Sequence, residues 1–449
     1  MSTSNQAFGS TSEQMAVRAA EILRENDLGG WTKAAPRLYP HQWSWDSAFI
    51  AIGRAHLDTR RAAQELRMLF RAQWATGMVP HIVFNPAASG YFPNIERWGT
   101  AVSPNIPTGI ETSGMCQPPV HAIAARYIWE IARQHDEAEA ADATAFLREL
   151  YPQLLAWHRY LATDRDPEGS GLVTIYHPWE GGSDNSPAWD SPMAAITVGD
   201  LPPYQRLDLT LTDASMRPTM AEYDRYLWIV EVMKQARYDE ATIYRTNPFL
   251  LKGVFFSGIF VAANDALLAI AEIIGAPDDE RAQITEWRDR GLRGMDERWD
   301  PTLGLALDYD LRARAAIPVR VMGGFAPLIA GHLTPERRAA MLATYDSPAW
   351  LGHPQLRWPM PLSTSPEGPG FDPRRYWRGP TWPVMNWLFW WALVQAGETE
   401  RAAALRRVSL DQLADGGFDE YYEPFTGELL GSADQSWTAA VALDWLAVK

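Results

Sequence analysis

The chain has 449 residues, 47% hydrophobic and 21% charged, a balance that suits a large globular protein and excludes extended disorder. The formal charge of −15 excludes a phosphate-tracking nucleic-acid surface, which needs a basic face. With Cys116 as the one cysteine, an intrachain disulfide and cysteine-based zinc sites are excluded as well.

The opening stretch MSTSNQAFGSTSEQ carries neither a basic nor an apolar leader segment, so a cytoplasmic location is the expectation. Amphipathic periodicity then predicts helices over 12–25, 60–74, 120–135, 143–161, 219–236, 256–274 and 399–413. Within this series, 264–274 and 384–394 are apolar on nearly all sides, as an inner ring of helices shielded by an outer ring would be. The run WPVMNWLFWWALVQAG from Trp382 is too short to span a bilayer and reads as a buried helix. Four segments share an acid or Asn, then Pro, a short insert and Gly: NPAASGYF at Asn85, DPEGSGL at Asp166, DPTLGL at Asp300 and EPFTGEL at Glu423. Each predicts a turn between a helix and a short extended piece. The result is an all-α toroid of helical hairpins, one domain over 1–449, with a cap-like insertion over about 190–250. The irregular stretches 196–218 and 361–377 are candidate lids.

Tryptophan is over-represented, with 21 residues beside 16 Tyr and 15 Phe. Flat aromatic faces pack on the C–H faces of sugar rings, although core packing accounts for aromatics equally well. The stretch EGGSDNSPAWD sets Glu180, Asp184 and Asp190 close together, with Trp179 and Trp189 beside them. Neighbouring acids repel, so gathering them suits a site that keeps one carboxyl protonated and another ionised. Trp179 would raise a carboxyl pKa by desolvation, while a cap or local turn at Asp184 and Asp190 is the structural alternative. A second acid must come from elsewhere, and GGFDEYYEPFTGE offers Asp419, Glu420, Glu423 and Glu428; a solvated acidic loop is the competing account. The nine His show no HxxxH or HExxH spacing and there is no Asp-rich calcium loop, so neither a metal nor a cofactor is expected.

The blocks YPHQWSWDSAF, MVPHIVF, QPPVHA, HPWEGGSDNSPAWD, EYDRYLW, YWRGPTWPVMNW, EYYEPFTGE and DQSWTAA, in this order from about residue 30 to the C-terminus, resemble those of glycoside hydrolase family 63. Within it the likeness is to the compact bacterial glucosylglycerate and mannosylglycerate hydrolases. The resemblance implies an (α/α)6 barrel with a helical insertion and an anomer-inverting reaction on a small anionic α-glycoside, with neither nucleic acid nor membrane expected as a partner. It assigns Asp184 as general acid and Glu420 as general base. Trp45, Asp46, Gln117, Trp179, Trp377, Trp382 and Gln435 match positions around the hydrolysed sugar, with Glu180 beside the donor. Tyr39, Trp43, Tyr91, Arg217, Tyr223 and Tyr376 match the subset that closes around glycerate, Arg217 supplying the cation. A trehalase-like α-glucosidase and a non-catalytic sugar-binding protein are the alternatives, and a homo-oligomer stays open.

Overall fold

The computed structural model describes residues 11–448; the first ten positions of the opening stretch lie outside the described residues. In chain order, α1 (Ser12–Glu25), α2 (Ser44–Ala55) and α3 (Thr59–Phe70) are followed by the short α4 (Ile95–Trp98) and by α5 (His121–His135) and α6 (Glu137–Thr163). A stretch holding α7 (Asp190–Ala194), α8 (Met220–Gln235) and α9 (Glu240–Thr246) leads to α10 (Val254–Ile274) and α11 (Asp278–Glu297). The chain ends through α12 (Ala326–Ala330), α13 (Pro335–Tyr345), α14 (Pro383–Gln395), α15 (Thr399–Gly416) and α16 (Ser436–Ala447).

Packing turns this series into two rings. Helices α2, α5, α10, α12, α14 and α16 touch in that order and α16 returns to α2, closing an inner ring of six. Outside it, α3, α6, α11 and α15 back onto the inner helices that precede them, and α1 backs onto α16. Tyr345 of α13 packs against Phe325 and against Phe389 of α14.

The rings explain which helices periodicity found. All twelve residues of α2 are buried, as is α16 from Ser436 to Trp445, so neither shows a wet face, and neither is among the helices expected from periodicity. At Gly53 the two backbones meet so closely that a Cβ would lie 2.3 Å from the Ala440 carbonyl oxygen. Of the predicted helices, 60–74 stops at Phe70, and 143–161 extends to Glu137–Thr163 because Asp136 caps it through the Glu139 N–H. By length and apolarity alone α10 resembles a membrane span, yet 83% of its most apolar window is buried inside the protein.

The strands are two-residue pieces. Gln42–Trp43 pairs antiparallel with Ile82–Val83, with Trp43 opposite Ile82. Thr174–Ile175, Leu251–Lys252, Tyr309–Asp310 and Ala315–Ala316 form one antiparallel sheet in that order. Of the four repeated turns, only that at Asp166 joins a helix to a strand; those at Asp300 and Glu423 close hairpins, and that at Asn85 follows Ile82–Val83. What they share is local chemistry. The first side chain of each accepts backbone N–H groups just ahead: Asn85 from Ala87, Asp166 from Ser170 and Gly171, Asp300 from Thr302 and Leu303, Glu423 from Phe425.

Candidate active site

The segments that precede the inner helices converge at one end of the ring and enclose a cavity of about 990 Å³, counting its open mouth. Trp43, Trp45 and Asp46 enter at the start of α2, Gln117 ahead of α5, Tyr376 and Trp377 ahead of α14, and Glu420 and Gln435 ahead of α16. Tyr39 and Tyr91 close one side, and Trp179, Asp184, Arg217 and Tyr223 come from the long stretch between α6 and α10. Every side chain assigned through the family resemblance lines this cavity except Glu180 and Trp382.

The three acids of EGGSDNSPAWD go three separate ways. Glu180 is fully buried, outside the cavity, and its carboxylate accepts both Nη groups of Arg165 at 2.6 and 2.8 Å. Its expected place beside the substrate is therefore corrected: a buried guanidinium claims it. Asp190 is exposed and takes a two-pronged ion pair from Arg378, at 2.7 and 2.6 Å. Asp184 alone faces the cavity, half-buried. Gly182, at φ +76°, lets the loop pass between the two: a Cβ there would approach Pro118 at 3.0 Å and Trp45 at 3.1 Å. His177 fixes the loop's entry, accepting the Trp179 N–H at Nδ1 and pairing with the Tyr226 carbonyl through Nε2. Burial lowers its pKa to about 4, so this imidazole is neutral and structural. On the far side Asn185 accepts the Trp377 N–H at 3.1 Å, tying the acid loop to the aromatic wall.

Glu420 stands at the foot of a hairpin in which Tyr421 is opposite Leu430 and Tyr422 opposite Leu429. Its Oε2 accepts the Ser432 N–H at 3.1 Å and its Oε1 accepts the Tyr39 hydroxyl at 3.0 Å. Arg217 completes a relay: Nη1 donates to the Tyr39 oxygen at 3.1 Å, Nε to Asp208 at 3.1 Å, and the guanidinium lies 4.6 Å from the centre of the Tyr376 ring. Four acids, Asp46, Asp184, Asp208 and Glu420, thus share the space with the Arg217 guanidinium. Burial pushes Asp184 up to about 7, the Glu420 charge adds to the rise, and Arg217 opposes it. Burial raises Glu420 too, against the pull of Arg217 and of its hydrogen-bond donors. Asp46 is carried well above the ordinary carboxylate range by burial, then by Glu420 and Asp184.

Trp382 is the second correction. It stacks face to face on Trp377, with centroids 3.8 Å apart and planes 6° apart, and on Tyr421 at 4.5 Å, so it stiffens the wall from behind. Sequence reasoning also missed cavity residues, among them His81, Asp208 and Trp437. Asp208 is held by Arg206 as well as Arg217, and a signal existed in the alternation of Arg206 and Asp208 ahead of Arg217 within the candidate lid. His81 and Trp437 stand inside the quoted blocks MVPHIVF and DQSWTAA, where nothing in their types marked them off from core.

The family described as the mannosylglycerate hydrolase MGH1-like glycoside hydrolase domain matches residues 39–438. The glucosylglycerate hydrolase of Mycolicibacterium hassiacum is 48% identical over 97% of this chain and 98% of its own. The mannosylglycerate hydrolase of Thermus thermophilus is 40% identical over 96% of this chain and 100% of its own. Among solved structures, the GH63 mannosylglycerate hydrolase of Thermus thermophilus in complex with Tris and D-glycerate superposes with a TM-score of 0.88 at 39% identity, covering 96% of this chain and 99% of that one. The neutral trehalase of Saccharomyces cerevisiae, at 16% identity and a TM-score of 0.54 over 93% of this chain and 73% of that one, is similar in fold alone. The expected (α/α)6 architecture is borne out.

Proposed function

Because the chain belongs to glycoside hydrolase family 63, among the MGH1-like mannosylglycerate hydrolase domains, we propose that it hydrolyses α-glucosylglycerate to glucose and glycerate with inversion. The observation that carries this is the meeting of Asp184, Glu420 and Arg217 on one aromatic cavity. The higher identity to the glucosylglycerate hydrolase, 48% against 40% for the mannosyl enzyme of Thermus thermophilus, puts glucose first and mannose second.

In this mechanism Asp184, protonated near neutrality, gives its proton to the glycosidic oxygen as the bond from C1 breaks. Glu420 takes a proton from the water whose oxygen attacks C1 on the opposite face. A carboxylate separation of about 6.5–9.5 Å leaves room for that water, whereas about 5–5.5 Å belongs to retention. Trp45 and Trp377 wall the sugar; Asp46, Gln117 and Gln435 bond its hydroxyls. Burial and the nearby acids raise the Asp46 pKa, which favours its protonated form. Arg217 binds the glycerate carboxylate, with Tyr39, Trp43, Tyr91, Tyr223 and Tyr376 packed around this end. The stretch 190–250 serves as the cap and 196–218 as its lid. A chain with one cysteine, Cys116, needs no disulfide and suits a cytoplasmic enzyme.

The test is proton NMR on a freshly mixed reaction with glucosylglycerate, mannosylglycerate and trehalose. The first-formed glucose should be the β-anomer, and glucosylglycerate should be turned over fastest. An α-anomer at early time rules out inversion, and trehalose as the best substrate rules out the glycerate site.

A further inference from the structure

We infer that Glu180 is a positioning residue for the proton donor, acting through the loop that carries Asp184 and never touching the sugar. This rests on Asp184 being that donor. The two oxygens of Glu180 accept four N–H donors from three separate pieces of chain: Arg165 twice, at 2.6 and 2.8 Å, Cys116 at 3.1 Å and Tyr176 at 2.6 Å. Each link leads to the site. Cys116 immediately precedes Gln117, which lines the cavity and accepts the Trp45 N–H at 3.3 Å. Tyr176 begins the acid loop. Arg165 donates to the Tyr160 hydroxyl at 2.8 Å and to the Thr174 carbonyl at 3.0 Å, lies 3.8 Å from the centre of the Tyr176 ring and meets Glu240 at 3.3 Å.

Glu180 therefore locks the acid loop against the segment that supplies Gln117. Only Gly181, Gly182 and Ser183 separate it from Asp184, and Gly182 is pressed onto Pro118 and Trp45. So short and confined a stretch has no slack to absorb a shift at Glu180. Stability alone explains the pair poorly, since buried ion pairs are often replaceable by apolar side chains at no loss. What the pair supplies is a single geometry, and misplacing a reacting group by about 1 Å costs on the order of 100-fold in rate.

The test separates proton donation from everything else the site does. A glycerate leaving group needs protonation; α-glucosyl fluoride expels fluoride with the bonding electron pair and needs none, while using the same sugar site and the same water activated by Glu420. Arg165→Met combined with Glu180→Gln removes both charges and keeps an acceptor for the Cys116 N–H. Glu180→Asp keeps the charge but withdraws it by one methylene. Both variants, once shown to have the wild-type circular dichroism spectrum, should lose on the order of 100-fold in kcat on glucosylglycerate, with KM within about threefold. On α-glucosyl fluoride they should stay within about fivefold of wild type. Equal losses on both substrates, or none on either, overturn the positioning role. Asp184→Ala is the reference and should show the same selectivity with a deeper loss. If it loses equally on both substrates, the donor assignment fails instead. Should the double variant not fold, Glu180→Asp alone decides.

Discussion

Asp184 sits on a loop of short helical turns anchored by a buried ion pair four residues upstream, whereas Glu420 sits on a hairpin anchored by backbone groups. The hairpin joins Tyr422 to Thr381 through a mutual pair of backbone hydrogen bonds at 3.0 Å and joins Glu420 to Ser432 through its own N–H at 2.9 Å. The difference reaches the chemistry. Burial carries Asp184 up to about 7 against the pull of Arg217 and of a hydrogen bond from Tyr376, with the Glu420 charge adding to the rise. The hairpin and the Tyr39–Arg217 relay feed donors directly to Glu420, which favours its ionised form. Burial raises both carboxyls in the one cavity, Asp184 to about 7, while the donors brought by the hairpin and by Tyr39 oppose the rise of Glu420.

The sharpest way to break this comparison is to delete each carboxyl. Asp184→Ala and Glu420→Ala should each lower kcat on glucosylglycerate by about 1,000-fold or more, measured as glycerate released, with the circular dichroism spectrum unchanged. Near-normal turnover in either removes that residue from its role. Arg217→Gln comes next. It withdraws a charge-assisted contact to glycerate and should raise KM for glucosylglycerate by about 30- to 100-fold, with far less effect on α-glucosyl fluoride, which has no carboxylate. Equal effects on both substrates would return Arg217 to a purely structural part with Asp208.

How much of this the sequence disclosed follows the same division. Outer helices such as α1 have one wet face and were legible from periodicity, whereas α2 and α16 are buried all round and were not. On the hairpin the sequence offered Asp419, Glu420, Glu423 and Glu428, and family resemblance selected Glu420. On the other loop the sequence narrowed the choice to three acids, and family resemblance selected Asp184. It could not show that Glu180 points away, because the partner that turns it, Arg165, lies fifteen residues earlier and is brought back by the short strand Thr174–Ile175. Trp382 was misplaced for a related reason: in a run of tryptophans, which indole meets the ligand and which supports it depends on the stacking order Trp377, Trp382, Tyr421.

The donors on Glu420 give a smaller and more selective effect. Tyr39→Phe removes the hydroxyl that favours the Glu420 carboxylate, so the base should ionise at higher pH. The acidic limb of kcat/KM should move up in pH, while the basic limb, set by loss of the Asp184 proton near 7, should move less. An unmoved acidic limb would show that the Tyr39 hydroxyl does not govern Glu420.

The smallest effect is on stability and has the sign opposite to that of most active-site losses. Asp184 is raised from 3.8 to about 7, so the folded protein favours its protonated form. That contribution is fully present below about 3.8 and is lost progressively as pH rises toward 7, where the unfolded chain is ionised and the folded one still resists ionisation. Asn cannot ionise and keeps a neutral side chain in the cavity at every pH. Asp184→Asn should therefore melt close to wild type near pH 4 and a few degrees above it at pH 8, the gain growing through the interval. An offset in Tm that is the same at both ends of that range would mean Asp184 ionises as freely in the cavity as in the unfolded chain. The contrast between the two carboxyls would then rest on Glu420 alone.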